Sequence, residues 1–489
     1  MWAVVGLSLV VLLVTYITHW ITQWRNPKCN GVLPPGSMGW PLVGETLNAM
    51  TTSYSIDLHP FFKERLQKYG PIFRTSLAGK PIVVSADPKF NSYLFQQEGK
   101  LVELWYLDSF TKIFKISDEI NAAAVHKYIR RVALNHLGAE TLKEKLLPLI
   151  EKRVVKTLAS WSSQASVEVK QASSVMLFNF GAENLIGYDA ETSSDNLSDK
   201  FSKILNTFLS FPLNVPGTAY YNCLKVVFKM DRDMIITMLK DMLKKRRMSP
   251  DTHRGDFIDQ ISSDMDKEKF LSEDFVVYVL FGMLFAGFHP ISSIMALAFS
   301  VLAEHPAALE ELTAENEALL KNRENPNSSL TWDEYKSMTF THQIVNETLR
   351  LGNLGPALFR RALKDIPVNG FTIPAGWTIM VLTSALQLSP NTFMDPLEFN
   401  PWRWKVRFGG EEERDLDLDS LVVSKNFMPF GRGSRQCAGA EYSRVFLATF
   451  LHVLVTKYSW KTIKAGRITR KHVLGFGSSI HIKLSEKKN

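Results

Sequence analysis

Cysteine is scarce in this 489-residue sequence: the three cysteines, Cys29, Cys223 and Cys437, are far apart along the chain. Three scattered thiols are too few for a disulfide framework or for a tetrahedral zinc site. A bound metal would therefore need a different ligand set. A reducing, cytosolic setting fits this scarcity.

Low-complexity tracts, internal repeats and a second flexible linker are also missing, and the chain has only 22 prolines. With 45% hydrophobic and 22% charged residues, the composition excludes a disordered, collagen-like or polytopic membrane protein. One large folded body is the default expectation. The net charge of +8 favours acidic partners or anionic surfaces. No motif points to nucleic acid, and we expect none as a partner.

The first 24 residues lack charged side chains altogether, and Arg25 and Lys28 follow them. About 20 apolar residues are enough for a helix to cross a bilayer. No basic residue precedes the run and no small-residue cleavage pattern closes it, which favours an anchor over a cleaved signal. We predict a membrane anchor over residues 1–24 and a basic, proline-rich hinge over residues 25–41, with the folded body occupying residues 42–489.

Within the body, apolar residues recur at helical spacing from about residue 140 to residue 350. Short β-rich runs occur at residues 82–84, at residues 371–373 and in the last twenty residues. The sequence therefore predicts a mainly α fold with a small β portion.

The densest chemical signal is a glycine-rich loop, residues 430–439, that contains Cys437 and leads into a helix. Glycines permit close approach by a bulky flat ligand, and a helix N-terminus stabilises a thiolate. Arg435 adds positive charge nearby. A thiolate is the haem ligand that favours O–O cleavage, although a lone cysteine is more often inert packing. The loop alone leaves both interpretations open.

The loop resembles the haem-binding signature of cytochromes P450, Phe-x-x-Gly-x-Arg-x-Cys-x-Gly, at every fixed position. Upstream, Glu347 and Arg350 form a Glu-x-x-Arg element, and Arg403 lies in an Asn-Pro-Trp-Arg-Trp segment. These three residues can form a charge-assisted network that holds the cysteine loop against the core. The resemblance covers the whole chain and implies a cytochrome P450 fold with an N-terminal transmembrane helix and a catalytic domain over residues 42–489.

The resemblance implies haem b, iron protoporphyrin IX, as cofactor, with Cys437 as the axial ligand of the iron. His126 stands where the family commonly has tryptophan, and both side chains can donate a ring N–H to a carboxylate. The other positions that the resemblance assigns to cofactor binding are Phe430, Gly433 and Gly439 in the loop, and Arg130, Arg360 and Arg435 toward the propionates.

One long helix should cross the distal face of the haem, beginning after Ser272 and ending before Pro306. The family usually has an acid followed by threonine or serine in this helix, but here His289 and Pro290 take those positions. His289 and Ser292 are candidates for a proton relay. Alternatively, His289 points away from the haem and is hydrogen-bonded between helices. Pro290 is expected to kink the helix.

The resemblance implies a monooxygenase that receives electrons from NADPH-cytochrome P450 reductase, so that NADPH and flavins act only through this partner. It also implies a single-pass protein of the endoplasmic reticulum membrane with its catalytic domain in the cytosol. An isomerase or dehydratase that does not use O₂ is the alternative, because some such relatives lack the acid-alcohol pair.

Residues 31–36, 102–106 and 426–431 look like those of plant cytochromes P450 that oxidise sterols, triterpenoids and steroid hormones. The expected substrate is an apolar sterol or triterpenoid. Successive oxidation of a phytosterol side chain, including C–C cleavage, is the first subdivision, and ring hydroxylation of a triterpene is the second. By family analogy Gly355 and Ala357 border the substrate, and their small size predicts room for a bulky ring. Phe288 is a third candidate contact.

Overall fold

The computed structural model describes residues 2–105, 122–190, 197–208, 221, 228–249, 254–268, 270–325, 328–405, 425–470 and 474–487. Residue 106 and Cys223 lie outside these ranges. The described chain is mostly helical, as predicted. Its α-helices are α1 Trp2–Arg25, α2 Thr46–Ala49, α3 Pro60–Tyr69, α4 Pro88–Gln96, α5 Ala122–Leu137, α6 Ala139–Thr141, α7 Leu147–Ser162, α8 Val169–Ile186, α9 Leu197–Phe208, α10 Phe228–Met248, α11 Phe257–Met265, α12 Glu273–Glu304, α13 Pro306–Lys321, α14 Trp332–Ser337, α15 Thr339–Gly352, α16 Thr383–Gln387 and α17 Ala440–Lys457.

The small β portion is also present, and the β-rich runs expected from the sequence lie in strands. A five-stranded sheet has the order β1-β2-β8-β5-β3, in which β2 and β8 are parallel and the other neighbours antiparallel. Three smaller sheets have the orders β4-β12-β9, β10-β11 and β6-β7. The strands are β1 Ile72–Leu77, β2 Lys80–Ser85, β3 Val102–Leu104, β4 Val167–Glu168, β5 Leu358–Ala362, β6 Ile366–Val368, β7 Phe371–Ile373, β8 Thr378–Val381, β9 Tyr458–Lys464, β10 Arg467–Arg470, β11 Leu474–Ser478 and β12 His481–Glu486.

The long helix α12 runs through the middle of the body. Its start is fixed by Ser272, whose hydroxyl accepts the Phe275 N–H at 3.2 Å, and it ends just before Pro306 begins α13, as the sequence predicts. Helical structure continues through Pro290 without interruption. The helix is apolar on nearly every face, and such a helix belongs in a core. It packs most extensively against α8.

The apolar helix α1 has a mean hydropathy of 1.8 and none of its membrane-length window is buried in the body. The core helix α12 passes the same test of length and composition, but half of its window is buried. Among the described residues, α1 is therefore the candidate membrane anchor, because an uncovered apolar helix is costly in water.

The predicted hinge lies along the edge of the five-stranded sheet. The Arg74 N–H in β1 donates to the Pro35 carbonyl at 2.8 Å, and the Arg74 guanidinium donates to the Pro34 carbonyl at 3.2 Å. A Cβ on Gly36, which has φ +142°, would lie 2.0 Å from the Arg74 carbonyl oxygen, so only glycine fits this approach. The hinge is thereby tied to the body that comes after it in the chain.

Candidate haem site

A cavity of about 620 Å³ lies between α5, α8 and α12 on one side and the loop before α17 on the other, with β3 and β5 at one edge. Its lining is mostly apolar. The structure brings most of the predicted site residues to this one cavity. Those that line it are His126, Phe288, Gly355, Arg360, Phe430, Arg435, Cys437 and Gly439.

The cysteine loop is folded back on itself by backbone hydrogen bonds. The Cys437 N–H donates to the Phe430 carbonyl at 2.9 Å, and the Gly431 N–H donates to the Met428 carbonyl at 3.0 Å. Gly433 has φ +74°, and a Cβ there would lie 3.1 Å from the Phe95 carbonyl oxygen. Gly433 is not among the cavity-lining residues that the structure describes, and its positive φ shapes the turn. Its cofactor contact stays a prediction.

The Cys437 side chain is open to the cavity but otherwise surrounded by protein. That burial raises the pKa of the thiol, while the Gly439 N–H and the charge of Arg130 lower it in part. A cysteine ligates a metal as the thiolate, so binding of a metal by Cys437 would release the proton of the thiol. A Cβ on Gly439 would lie 4.0 Å from the Cys437 Sγ, so the glycine keeps the approach to the sulfur open.

Positive charge collects at one edge of the cavity. Arg360 and Arg435 line it, and both pair with Glu98, which the sequence analysis did not identify. The Arg360 Nε lies 2.7 Å from Glu98 Oε2, and the Arg435 Nε donates to Glu98 Oε1 at 3.0 Å. Burial and the nearby arginines lower the pKa of His126 to about 4, so its ring is neutral at pH 7.

Arg130 is placed beside this edge but is not among the described residues that line the cavity. Its guanidinium donates to the Gln436 carbonyl in the cysteine loop. The propionate contact of Arg130 stays a prediction, and the charge of Arg130 acts on both Cys437 and His126.

These residues fit a haem. A thiol faces a mostly apolar cavity of about 620 Å³, and a cationic edge would supply donors for the two carboxylates of a haem. Arg432 also lines the cavity, so positive charge exceeds the single carboxylate of Glu98. Haem bound here would be held by Cys437, Arg360, Arg435 and His126.

The predicted network of Glu347, Arg350 and Arg403 is present and fully enclosed. Arg350 donates to both oxygens of Glu347 at 2.9 and 2.7 Å, and the Arg403 Nε donates to Glu347 Oε1 at 3.1 Å. The structure adds Trp404, whose indole donates to Glu347 Oε2 at 2.9 Å, and the backbone N–H of Asn400 at 3.0 Å. A buried carboxylate with this many donors fixes the surrounding chain.

The helix side of the cavity differs from the prediction. Gly287, Pro290 and Ile291 line the cavity, but His289 is not among the lining residues that the structure describes. His289 instead lies near Lys170 of α8, and burial together with that charge lowers its pKa to about 4. This placement favours the alternative in which His289 sits between helices, and its relay role stays a prediction.

Ser292 is completely buried and does not line the cavity among the described residues. Its hydroxyl donates to the His289 carbonyl at 2.9 Å and accepts from the Ser174 hydroxyl, also at 2.9 Å. The Ser293 hydroxyl donates to the same carbonyl at 3.1 Å. Ser292 thus ties α12 to α8, and its place in a proton relay stays a prediction.

Two of the three predicted substrate contacts line the cavity. A Cβ on Gly355 would meet nothing within 4 Å, so this position leaves open space, and Phe288 packs edge-on against Phe178 with ring centroids 5.4 Å apart. Ala357 is not among the lining residues described; it packs with an apolar cluster that includes Met380, and its substrate contact stays a prediction.

The sequence does not point to three residues at the cavity. His136 and Asn184 line it, and Glu98 pairs with the lining residue Arg360. Burial, with a smaller contribution from Lys145, lowers the pKa of His136 to about 4. None of the three lies in a recognisable motif. A charged residue following a capped helix was the only signal for Glu98, and that signal is common on protein surfaces.

A cysteine loop beside a mostly apolar cavity with a cationic edge is the arrangement expected of a haem-thiolate protein. The chain matches the cytochrome P450 family over residues 34–483 and belongs to that family, which holds haem iron. The predicted fold and the predicted monooxygenase class are confirmed.

Relatives of known activity match the whole chain. It is 49% identical to cucurbitadienol 11-hydroxylase of Siraitia grosvenorii over 490 residues, with all of both chains covered. It is 48% identical to beta-amyrin 16-alpha-hydroxylase of Maesa lanceolata over the same length and coverage. It is 33% identical to cholesterol 22-hydroxylase of Paris polyphylla, covering 98% of this chain and 96% of that one. The structure of the cyanobacterial CYP120A1 with retinoic acid bound matches 94% of this chain and all of its own, with a TM-score of 0.77 and 22% identity, which shows the shared fold.

Proposed function

We propose that this monooxygenase hydroxylates a triterpenoid or a closely related sterol. The observation that carries the proposal is the full-length identity of 48 to 49% to hydroxylases of cucurbitadienol and beta-amyrin. The cholesterol-hydroxylating relative is less similar, at 33% identity. The higher identity to the triterpenoid hydroxylases favours hydroxylation of a triterpenoid skeleton. The first expectation from the sequence is oxidation of a phytosterol side chain.

The cavity supports a rigid apolar substrate. The walls contributed by α8, α12 and the chain before β5 are almost wholly apolar, and Gly355 leaves open space beside them. Burial of apolar surface in a preformed cavity orients a substrate that offers few polar groups. The haem supplies oxygen activation when bound, and the protein wall determines which carbon lies over it.

The electron donor in this proposal is NADPH-cytochrome P450 reductase. Helix α5 carries Arg130, which donates to the Gln436 carbonyl, so α5 lies next to the cysteine loop. Lys127 and Arg131 on the same helix are exposed. Exposed cations beside the cysteine loop suit an acidic partner and speed its docking.

The proposed location is the endoplasmic reticulum membrane, spanned once by α1, with the body in the cytosol. Removing residues 1–24 is expected to release the protein from microsomes, because the exposed apolar helix is lost. The measurement is the fraction of protein that sediments with membranes after an alkaline carbonate wash. Full retention of the shortened protein would contradict the single-anchor proposal.

The decisive test is product analysis by mass spectrometry from microsomes containing this protein, the reductase and NADPH, offered triterpenes and sterols under ¹⁸O₂. One labelled oxygen in a triterpenoid product is the expected result. A sterol product oxidised or cleaved at its side chain would instead support the phytosterol hypothesis drawn from the sequence. A converted but unlabelled product without NADPH demand would support the isomerase or dehydratase alternative.

Replacing Gly355 with valine tests the open space directly. The added side chain would project where a glycine Cβ meets nothing within 4 Å, so it would reduce the room for substrate. We expect a changed product position or a lower turnover with the spectrum of the haem intact. Ala357→Val is the matched control, because Ala357 packs outside the cavity lining; unaltered products from Gly355→Val would remove this position from the substrate site.

A further inference from the structure

Glu98 joins two arginines that reach the same edge of the cavity from different parts of the chain. Arg360 lies on β5, and Arg435 lies in the cysteine loop, 337 residues after Glu98. One carboxylate oxygen faces each guanidinium, at 2.7 Å for Arg360 and 3.0 Å for Arg435. Glu98 and Arg435 have side chains that are 11% and 14% exposed, and that of Arg360 is 4% exposed, so both pairs are largely shielded from solvent.

The backbone around Glu98 is held by a tight turn between α4 and β3. The Gly99 N–H donates to the Val102 carbonyl at 2.7 Å, and the Leu101 N–H donates to the Gln97 carbonyl at 3.0 Å. Gly99 has φ +80°, which is a glycine conformation. Because both ends of the turn are fixed, the carboxylate has a defined position relative to the sheet.

Arg360 is fixed from a second direction as well. Its guanidinium lies over the Phe95 ring, 5.5 Å from the centroid, and Arg360 pairs with Leu104 across β3 and β5. The next residue, Arg361, points the other way along the strand and pairs with Glu103, with Nε 2.6 Å from Oε1. Strand β5 therefore carries the arginines of one enclosed and one exposed pair, whose glutamates are Glu98 before β3 and Glu103 on β3.

We infer that Glu98 is a positioning residue of the haem site, which orients Arg360 and Arg435 toward the propionates. The Glu98 carboxylate places one oxygen against each guanidinium, in an ion pair with Arg360 and a charge-assisted hydrogen bond from Arg435. Its negative charge also offsets part of the repulsion between the two arginines. The inference rests on the haem site and does not depend on which substrate is oxidised.

The test compares Glu98→Gln with Glu103→Gln in the full-length haem protein. Glu98→Gln keeps the volume but leaves one oxygen to serve two guanidinium groups. Losing a charge-assisted hydrogen bond of this kind corresponds to roughly tenfold faster haem transfer to excess apomyoglobin. The reduction potential of the haem iron should rise, because a nearby negative charge is gone. Glu103→Gln removes the same charge at the exposed pair and should leave both quantities unchanged.

Three results would overturn the inference. Haem transfer from Glu98→Gln at the rate of the unmodified protein would show that the arginines are held without Glu98. Slower transfer would show that the carboxylate competes with the propionates. If haem loss rises only in step with thermal unfolding and the potential stays constant, the role of Glu98 is structural, and the inference also fails.

Further variants keep the inference testable if Glu98→Gln does not fold. Glu98→Asp keeps the charge but is too short to reach both arginines, so haem transfer should accelerate while the potential stays near its original value. In an Arg435→Gln background, adding Glu98→Asp should change the transfer rate less than it does alone, because one of its two partners is absent. Full additivity of the two substitutions would contradict action through Arg435.

Discussion

The two faces of the cavity are built in different ways. On the cysteine side, residues 430–439 are fixed by backbone hydrogen bonds, and the neighbouring chain is held by Glu347, which accepts from two arginines, an indole and a backbone N–H. On the helix side, residues 286–291 present mostly apolar groups to the cavity, and the hydroxyls of Ser292 and Ser293 turn away to the His289 carbonyl.

The two sides of the cavity differ because they have different roles. A metal ligand needs one defined position, and directional polar contacts supply it. A wall that contacts an apolar substrate needs shape, which packing supplies and which several residue types can satisfy. Pro290 can therefore replace an alcohol in α12 while the helix continues, whereas the cysteine side matches the family signature throughout.

Cys437→Ala should have the largest effect, because it removes the only atom on the cysteine face assigned to the iron. We expect complete loss of the carbon monoxide difference band that is characteristic of reduced thiolate-ligated haem, together with loss of hydroxylation. The measurement is the difference spectrum of purified protein at equal haem loading. Ser443→Ala, which changes another residue of the cavity lining, should keep the band. A persisting band in Cys437→Ala would exclude Cys437 as the ligand.

Glu347→Gln should have the second-largest effect, by destabilising the chain next to the cysteine loop. It removes the charge that balances two enclosed arginines, and breaking a buried ion pair costs about 3–5 kcal/mol. We expect that loss in the free energy of unfolding, accompanied by lower haem content. Asp57→Asn is the control, since its pair with Lys63 is exposed and such pairs contribute under about 1 kcal/mol. Equal losses of unfolding free energy in the two variants would show that the Glu347 network contributes no more than an exposed ion pair.

Pro290→Ala tests the helix side of the cavity, and here the expected effect is stabilisation. A proline inside a helix lacks one N–H and costs about 3 kcal/mol relative to alanine. Because α12 continues through Pro290, the substitution should raise the free energy of unfolding by roughly 1–3 kcal/mol. Pro306→Ala is the matched control, because Pro306 occupies the first turn of α13, where proline is favourable. Destabilisation by Pro290→Ala would show that the ring itself supports the wall.

Sequence reasoning succeeded where the determining contacts are close along the chain. Glu347 and Arg350 are three residues apart on α15, and the caps of α12 lie beside its ends. Local spacing is enough to predict such pairs and boundaries. The family signature likewise lies within ten residues.

The features of the site that the sequence does not predict depend on contacts between distant parts of the chain. Glu98 and Arg435 meet across 337 residues, which no local pattern records. The direction of His289 was equally open, because successive residues on a helix point about 100° apart and a small rotation decides which of them meets the cavity. Ala357, just before β5, faces a cluster on the other side for a similar reason.

His289→Ala should have the smallest effect on catalysis. The ring lies outside the described cavity lining, so the ratio of peroxide to hydroxylated product should remain unchanged. Increased peroxide would restore the relay role and remove much of the contrast between the two faces. The ratio can be measured with the same reductase and NADPH assay that identifies the product.

The same substitution should have a visible effect on acid stability. The pKa of His289 is about 4 in the folded protein and about 6.5 in an unfolded chain, so between these values the unfolded state binds more protons. Stability is therefore lost as the pH falls from about 6.5 toward 4. Removing the ring should shrink the difference in unfolding free energy between pH 8 and pH 5 by on the order of 1 kcal/mol. Lys170→Gln should shrink it less, because burial is the larger cause of the shift and the charge of Lys170 is the smaller. An unaltered pH dependence in His289→Ala would mean that the ring reaches water, which would open the helix face to solvent.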